Sequence, residues 1–335
     1  MKRQFWITVF LPFLAISAMA QPLTDQIDKQ FSNITQLVIE GSFCDVSING
    51  NNTQQIEFKG EVYSDAAVKI KYEQSGTTLK VWLDKPKNMI GKNKGKLNFI
   101  APVNTCLSIK TASGSIVTEN VGKGSFSFNT ASGSIRLSNI GSSLTANTAS
   151  GSIQASKVNG DVTTGTASGS QTFTDLQGNL VAKAASGSIS IKNITGDVNA
   201  SAASGSINLS GGGNTIKLNT ASGSIKASDV NGLLSANTAS GGISLERISG
   251  TLNISSVSGS QQGTAITLTA NANFNSVSGD IRMALTNSTE QLAFNLESVS
   301  GSLTAKGTNG ARKLQTGNGT IKITGKSVSG SQTYN

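Results

Sequence analysis

One hexapeptide returns at a nearly constant interval and constrains this chain more than any other feature. Thr-Ala-Ser-Gly-Ser-Ile occupies residues 111–116, returns at 130–135, 148–153 and 220–225, and appears at 238–243 with Gly for the second Ser. The central glycines of these and related copies are Gly114, Gly133, Gly151, Gly169, Gly187, Gly205, Gly223, Gly241, Gly259, Gly279, Gly301 and Gly319. Their step is 18 residues for seven consecutive intervals from Gly133 to Gly259. Such a period over twelve copies predicts a solenoid of stacked coils.

Apolar residues fall in columns when the copies are aligned on these glycines. The residue two after the glycine is Ile in most copies, and the next apolar residue follows two later, as in Ile189-Ser190-Ile191. This alternation is strand periodicity rather than helix periodicity. A second turn falls about half-way round each coil, at glycines such as Gly160 and Gly178. The predicted fold class is all-β: a single right-handed parallel β-helix (β-solenoid) of about 18-residue coils, with two short strands per coil.

The composition removes most catalytic chemistries. The chain has 335 residues, no His and 2 Cys. Without imidazole there is no Ser-His-Asp triad and no His-ligated metal, and two cysteines cannot form a Cys-only zinc or iron–sulfur site within one chain. We therefore predict no catalytic residue, no cofactor, no metal site and no enzyme activity.

The alternative is a carbohydrate-active β-helix enzyme that uses carboxylates. Asp161 and Asp197 occupy the same column two coils apart, about 9.6 Å by strand spacing, which glycosidase geometry would tolerate. Both aspartates follow a turn glycine, where Asp is common for structural reasons. The structural interpretation is therefore favoured.

Residues 1–20 have the pattern of a cleavable signal peptide. Lys2 and Arg3 precede an apolar run from Phe5 to Ile16, and Ala18-Met19-Ala20 matches the A-x-A cleavage signal. We expect export through this peptide to the periplasm, the cell surface or the extracellular space. Loss of Lys2 and Arg3 would lower the formal net charge from +9 to +7.

The chain after the signal peptide divides into two parts. Residues 21–110 contain strand patterns such as Leu37-Val38-Ile39 but no clear repeat, and we interpret them as β-rich capping coils that block the open end of the solenoid. A separate small β-domain is the alternative. Residues 111–335 form the regular solenoid with the Thr-Ala-Ser-Gly-Ser-Ile repeats.

Positive charge is concentrated in one stretch of the first part. Between Lys80 and Lys96 there are six lysines and a single acid, Asp84. The region is rich in Pro, Gly and Asn, which predicts a loop. Trp82 lies beside this loop. The expected ligand-contact residues are Trp82, Lys85, Lys87, Lys92, Lys94 and Lys96, and the simpler alternative is a solvated loop over a packed Trp82.

The two cysteines lie in comparable strand contexts, Cys44-Asp45-Val46-Ser47-Ile48 and Cys106-Leu107-Ser108-Ile109. Two cysteines on neighbouring coils would pair in an oxidising compartment. A Cys44–Cys106 disulfide is therefore a candidate, and two buried free thiols are the alternative.

The repeat ladder, together with Phe99-Ile100-Ala101-Pro102-Val103 and Leu107-Ser108-Ile109 before it, resembles the bacterial secreted β-helix domains of unknown function that are named as adhesins. The resemblance covers about residues 35 to 330. It implies a single right-handed parallel β-helix exported to the cell envelope. It carries over no catalytic residue, because that family has no established active site.

The expected function is that of a non-catalytic exported β-solenoid, adhesin-like or structural, in the cell envelope. The expected partners are an acidic polysaccharide, an anionic membrane surface or another envelope protein. Nucleic acid is not expected, because the basic residues sit in one loop instead of along a face with aromatics between them. The sequence leaves the oligomeric state open.

Overall fold

The computed structural model describes residues 21–89 and 91–335, so the predicted signal peptide at residues 1–20 lies outside the described residues. The described chain is all-β, and its strands join in one continuous solenoid-like sheet. The one helical element in these residues is a 3₁₀ turn, Thr289–Gln291. Within the same residues, no helix has the length and apolar character needed to cross a bilayer.

Seven strands precede the regular repeat. They are β1 (Leu23–Ser32), β2 (Gln36–Ser42), β3 (Asp45–Asn51), β4 (Gln55–Ser64), β5 (Lys69–Ser75), β6 (Thr78–Asp84) and β7 (Asn93–Pro102).

The repeat region contributes eighteen strands in chain order. They are β8 (Cys106–Thr111), β9 (Ile116–Val121), β10 (Phe126–Thr130), β11 (Ile135–Ile140), β12 (Leu144–Thr148), β13 (Ile153–Asn159), β14 (Val162–Thr166), β15 (Gln171–Gln177), β16 (Leu180–Ala184), β17 (Ile189–Ile194), β18 (Val198–Ala202), β19 (Ile207–Gly212), β20 (Thr215–Thr220), β21 (Ile225–Thr238), β22 (Ile243–Ser256), β23 (Gln261–Leu268), β24 (Ala272–Ser276) and β25 (Ile281–Leu285).

Six strands complete the chain. They are β26 (Leu292–Ser298), β27 (Leu303–Ala305), β28 (Thr308–Gly310), β29 (Lys313–Thr316), β30 (Ile321–Ser327) and β31 (Gln332–Tyr334).

Each coil contributes one strand to each of two parallel ladders. Ladder A contains β8, β10, β12 and their equivalents, and ladder B contains β9, β11, β13 and theirs; the long strands β21 and β22 serve both. The register places each residue beside its counterpart 18 positions away, as with Leu144 and Val162. The alternate apolar residues of both ladders face inwards and are buried, so stacking covers a row that one coil could not bury alone.

The corner between the ladders, which we call the glycine corner, is where consecutive coils touch through their backbones. A Cβ at Gly151 would overlap the carbonyl oxygen of Gly133, so only glycine fits. The hydroxyl of buried Thr148 accepts a hydrogen bond from the Gly151 N–H (3.0 Å) and donates one to the Gly133 carbonyl (3.1 Å). The same pair of bonds at Thr130, Thr148, Thr220 and Thr238 connects each of those corners to the one before it.

A second regular bend lies in ladder B of the nine coils from β9 to β23. One residue per coil has a left-handed backbone there, and the column is Asn120, Asn139, Lys157, Asp175, Asn193, Gly211, Asp229, Arg247 and Ala265. Asn and Asp tolerate this conformation better than most residues. Their side chains also bond along the stack, as Asn139 does to Asn120 (2.9 Å).

The stack does not follow the chain at its N-terminal end. β2 pairs in parallel with both β6 and β8, and β3 pairs in parallel with both β7 and β9. The coil of β6 and β7 therefore lies outside the coil of β2 and β3. Beyond it, β5 pairs antiparallel with β6, and β4 and then β1 extend ladder B antiparallel. Side chains close the seam between β1 and β5: Asp25 accepts the Ile70 N–H (2.7 Å), and the Phe31 and Tyr72 rings meet at 5.2 Å.

The C-terminal end shows the same exchange. β30 lies between β24 and β26, and β31 lies between β25 and β27, so the last segment of the chain fills the second-to-last place in the stack. The short strands β28 and β29 cover the end antiparallel.

This insertion corrects the predicted order of coils. Gly330, and not Gly319, occupies the glycine column, between Gly279 and Gly301. Gly319 instead lies where the chain returns from β29 to β30. The described strands form fourteen coils in all.

Candidate functional site

The basic segment of the sequence lies at the N-terminal end of the glycine corner. A Cβ at Gly114 would overlap the Cys44 carbonyl oxygen. The Phe43-Cys44 turn between β2 and β3 therefore stacks directly on Gly114, the first glycine of the column. The connection from β6 to β7 turns the same corner one coil further out. The loop therefore flanks the Phe43 turn, where the regular column ends.

A hollow of about 360 Å³ lies on the ladder A side of this turn, and we call it the Trp82 hollow. Trp82, Glu40 and Lys110 come from three neighbouring strands and lie side by side in register. Half-buried Trp82 carries the Lys80 ammonium 5.6 Å from its ring centroid, and the same ammonium lies 3.0 Å from Glu40 Oε1. The residues that line the Trp82 hollow are Glu40, Ser42, Trp82, Leu83, Lys85, Lys110, Thr111 and Ala112.

A larger hollow of about 550 Å³ lies on the ladder B side, and we call it the Phe43 hollow. Half-buried Phe43 and Tyr63 supply aromatic surface, and Lys96 lies in register between Asp45 and Glu61. The Tyr63 hydroxyl donates to Glu61 Oε2 (3.1 Å), and this bond raises the pKa of Tyr63. The residues that line the Phe43 hollow are Phe43, Asp45, Glu61, Tyr63, Asn93, Lys94, Gly95 and Lys96.

The structure thus divides the predicted ligand-contact residues between two places. Trp82 and Lys85 line the Trp82 hollow, and Lys94 and Lys96 line the Phe43 hollow. Lys87 and Lys92 are exposed on the loop and line neither hollow.

Sequence reasoning missed the residues that other strands bring to this corner. Lys110, Phe43 and Tyr63 join the site, and the carboxylates of Glu40, Asp45 and Glu61 lower its positive charge. The segment by itself has six lysines and one acid, a net charge of +5. With Lys110 and these three acids included, the net charge of the corner is +3. The register between strands carries this information, and spacing along the chain does not.

The cysteine prediction is corrected here. Cys106 lies in register with Gln36 at the start of β2, whereas Cys44 follows the end of β2 in a turn closed by its N–H to the Gly41 carbonyl (2.8 Å). Five strand steps, roughly 16 Å, separate Gln36 from Gly41. A disulfide requires Cα atoms within about 7 Å, so the proposed bond is wrong and both thiols are free.

Cys44 is fully buried, and Cys106 is half-buried. Burial, aided by the Asp45 carboxylate, raises the pKa of the Cys44 thiol to about 12. The Cys44 thiol therefore acts as a packing group, and it contacts Gly95 at a point where a Cβ would overlap its sulfur.

The aspartates weighed for catalysis have structural bonds. Asp161 Oδ1 accepts the Asn179 N–H (2.8 Å), Asn179 Oδ1 accepts the Asp197 N–H (2.9 Å), and Asp197 Oδ1 accepts the Thr215 N–H (3.0 Å). The column is a side-chain ladder that closes the second turn of each coil. Within residues 21–89 and 91–335, no three Cys, Asp or Glu side chains gather as a metal site.

The fold and this corner define an all-β, solenoid-like repeat protein whose regular coils support irregular hollows at one end. The chain belongs to the Toastrack DUF4097 family, whose model matches residues 34–214 and 180–335. No curated protein matches the chain.

Two solved structures are similar to the chain at low identity. One is a "putative cell adhesion protein" from Clostridium sporogenes ATCC 15579, with 11% identity, a TM-score of 0.20, and coverage of 92% of this chain and 98% of that one. The other is a "putative adhesin" from Bacteroides fragilis NCTC 9343, with 11% identity, a TM-score of 0.27, and coverage of 94% and 99%.

Proposed function

We propose that this protein is a non-catalytic, exported, adhesin-like β-solenoid that binds acidic polysaccharide at its N-terminal corner. The observation that carries the proposal is the Trp82 hollow, where an indole ring lies beside Lys85, Lys110 and Glu40. The coil is right-handed, as parallel crossovers generally are. Export rests on the signal-peptide pattern of residues 1–20.

The chemistry of the hollow favours a sugar over a membrane surface. An aromatic face stacks on the apolar face of a sugar ring, and lysines attract its carboxylate or sulfate groups. The Glu40 carboxylate in the hollow can accept hydrogen bonds from sugar hydroxyls, whereas it would repel a continuous anionic surface. A concave site also suits a chain of sugars better than a flat bilayer.

The test compares two sets of substitutions on the ladder A face. W82A/K85Q/K110Q removes the ring and two charges of the hollow, and K183Q/K217Q removes two charges from regular coils on the same face. We expect the first variant to lose at least about tenfold in affinity for polygalacturonate, and the second to bind as the parent does. Parental binding should weaken with salt, because exposed charges are screened over about 8 Å at physiological ionic strength.

Two further probes separate the alternatives. Neutral dextran should not bind, and vesicles of phosphatidylglycerol should bind no better than vesicles of phosphatidylcholine. Preferential binding to phosphatidylglycerol that depends on the Trp82 hollow would replace the polysaccharide with a membrane surface. Equal loss of polysaccharide binding in both lysine variants would contradict a site at the corner.

A further inference from the structure

The two hollows of the candidate site share one chemistry. Each has aromatic surface, from Trp82 in the first and from Phe43 and Tyr63 in the second. Each also has two lysines that form no ion pair with any other described residue. These lysines are Lys85 and Lys110 in the Trp82 hollow, and Lys94 and Lys96 in the Phe43 hollow. The two hollows can therefore bind the same kind of group.

The carboxylates of the hollows already have partners within the protein. These partners are the Lys80 ammonium for Glu40 (3.0 Å), the Ser115 N–H for Asp45 (2.8 Å) and the Tyr63 hydroxyl for Glu61 (3.1 Å). The four lysines without an ion pair are exposed or line the rims, so the charges that remain for a ligand are positive in both hollows.

Only the Phe43 turn separates the two hollows. Ser42 lines the Trp82 hollow, and the next residue, Phe43, lines the other. The turn stacks with Cys44 on Gly114. Phe43 therefore takes the place that Ser113 and the equivalent serines have in the following coils. A half-buried aromatic ring lies at the boundary between the hollows, where the regular corners have a small hydroxyl side chain.

The spacing of the hollows suits a single ligand. Trp82 lies in register with Glu40, and Lys96 lies in register with Asp45. Five residue steps connect Glu40 to Asp45, and five steps of fully extended chain measure about 18 Å at most. The turn between these residues makes the direct distance shorter. An extended polymer of sugars can therefore reach both hollows.

We propose that one acidic polysaccharide chain crosses the Phe43 turn and occupies both hollows at once. This inference rests on the proposed function, and it adds that the ligand carries acidic sugars repeatedly along its chain and not only at one end. The two lysines of each hollow meet one acidic group, and the Phe43 ring packs against the sugar between them. Binding in the second hollow is then intramolecular, so a long chain binds more tightly than a short one without a new kind of contact.

The test compares galacturonate with decagalacturonate, an oligomer of the same sugar. After removal of residues 1–20, Trp82 is the only tryptophan, so its fluorescence reports binding in the Trp82 hollow. Titration calorimetry gives the number of ligands per protein. We expect one decagalacturonate per protein, bound at least about tenfold more tightly than galacturonate.

A pair of matched variants locates the second contact. K94Q/K96Q removes two exposed charges from the Phe43 hollow and leaves the Trp82 hollow intact. We expect it to lose at least about tenfold in affinity for decagalacturonate, while galacturonate changes the Trp82 fluorescence as in the parent. K87Q/K92Q removes the same charge from the same loop at positions that line neither hollow, and it should bind decagalacturonate as the parent does. Circular dichroism checks that both variants keep the fold.

Four outcomes would overturn the inference. Two decagalacturonate molecules per protein would mean that the hollows bind independently. Parental affinity in K94Q/K96Q would leave the Trp82 hollow as the whole site and the proposed function intact. Equal losses in the two lysine pairs would reduce the effect to the general charge of the loop. Parental affinity in W82A/K85Q/K110Q would contradict the proposed function itself, and the shared site with it.

Discussion

The coils between residues 130 and 256 differ from the two ends of the stack in what they bury and in what they display. Each regular coil repeats the same corner, with a glycine stacked on a glycine and a short residue beside it, and its outward rows are mostly Ser, Thr and Asn. The strands at both ends belong to the same two ladders, but the coils there do not stack in the order of the chain. The ends also carry most of the aromatic rings, both hollows of the candidate site and four exposed valines, Val257, Val277, Val299 and Val328, where the regular coils have Ala.

The difference shows which residues the regular coils and the ends of the stack can accommodate. In the regular coils, each corner stacks directly on the same corner of the neighbouring coils. A larger side chain there would overlap the neighbouring backbone, so the residues at the corner are small. At the ends the stack meets antiparallel strands, and larger or charged residues are accommodated. The hollows proposed for polysaccharide binding therefore lie at an end of the stack and not along the regular coils.

The largest effect should come from breaking the regular corner. Gly151→Ala places a Cβ on the Gly133 carbonyl, which the stack cannot relieve without opening the ladder, so we expect a loss of about 5 kcal/mol or more in unfolding free energy. Gly165→Ala is the matched control in the next coil. Its Cβ would meet only the Asn147 side chain, and the change should be close to neutral. Thermal unfolding followed by circular dichroism measures both. Similar losses in the two variants would contradict the account of the corner.

The next effect tests how the C-terminal end is fastened. Tyr334 is fully buried, its ring lies 5.6 Å from Phe274 and 5.7 Å from Phe294, and Gly325 leaves room for it. Tyr334→Ala should cost about 3 to 5 kcal/mol. Tyr334→Phe should cost about 1 kcal/mol, because it loses the hydrogen bond that the hydroxyl donates to Gln332 Oε1 (3.4 Å).

Hydrogen exchange locates this effect. Tyr334→Ala should speed exchange in β26 to β31 and leave the regular coils protected, because repeat stacks open locally. Uniform acceleration along the whole chain would mean that the ends and the middle unfold together.

Alkaline pH should act on the ends before the middle. Burial raises the pKa of Cys44 to about 12 from 9.0, and burial also raises the pKa of Tyr334. The folded protein holds these protons more tightly than the unfolded chain, so stability is full below about pH 9 and falls as pH rises towards 12. The slope is about 1.4 kcal/mol per pH unit for each group.

Melting temperatures between pH 8 and pH 11 check this dependence. Cys44→Ala should flatten the decline, and Cys106→Ala is the matched control that should leave it unchanged. An equal decline in the parent and in Cys44→Ala would assign the alkaline loss to other groups.

The smallest effect concerns the threonine of the motif. Thr148→Ala removes one bond to Gly151 and one to Gly133, and Ala184 and Ala202 already occupy the equivalent position, so we expect a loss of only about 1 kcal/mol. Thr145→Ala, on the exposed face of the same strand, should change stability by less than about 0.5 kcal/mol. Chemical denaturation resolves the difference. A loss above about 3 kcal/mol for Thr148→Ala would mean that the hydroxyl, and not the glycine, governs the corner.

The sequence was sufficient for the all-β class, the two strands per coil and the column of glycines from Gly114 to Gly279, because each of these depends on neighbours about 18 residues away that repeat the same pattern. It also located the segment from Trp82 to Lys96, since composition alone marks a basic loop. It did not locate Lys110, Phe43 or Glu40 at the same corner. Those residues reach it through strand register, which no local pattern encodes.

The order of coils at both ends was decided by tertiary structure alone. Every coil offers its neighbours nearly the same apolar columns, so the local sequence of β30 and β31 fits beside many coils equally well. The choice depends on single complementary contacts, such as Tyr334 over Gly325, and on the antiparallel strands that cover each end. The same insertion places Val328 between Val277 and Val299, which are far from it in the sequence. A repeated sequence therefore determines the coil, and non-repeated side chains determine where the stack begins, where it ends and what it presents there.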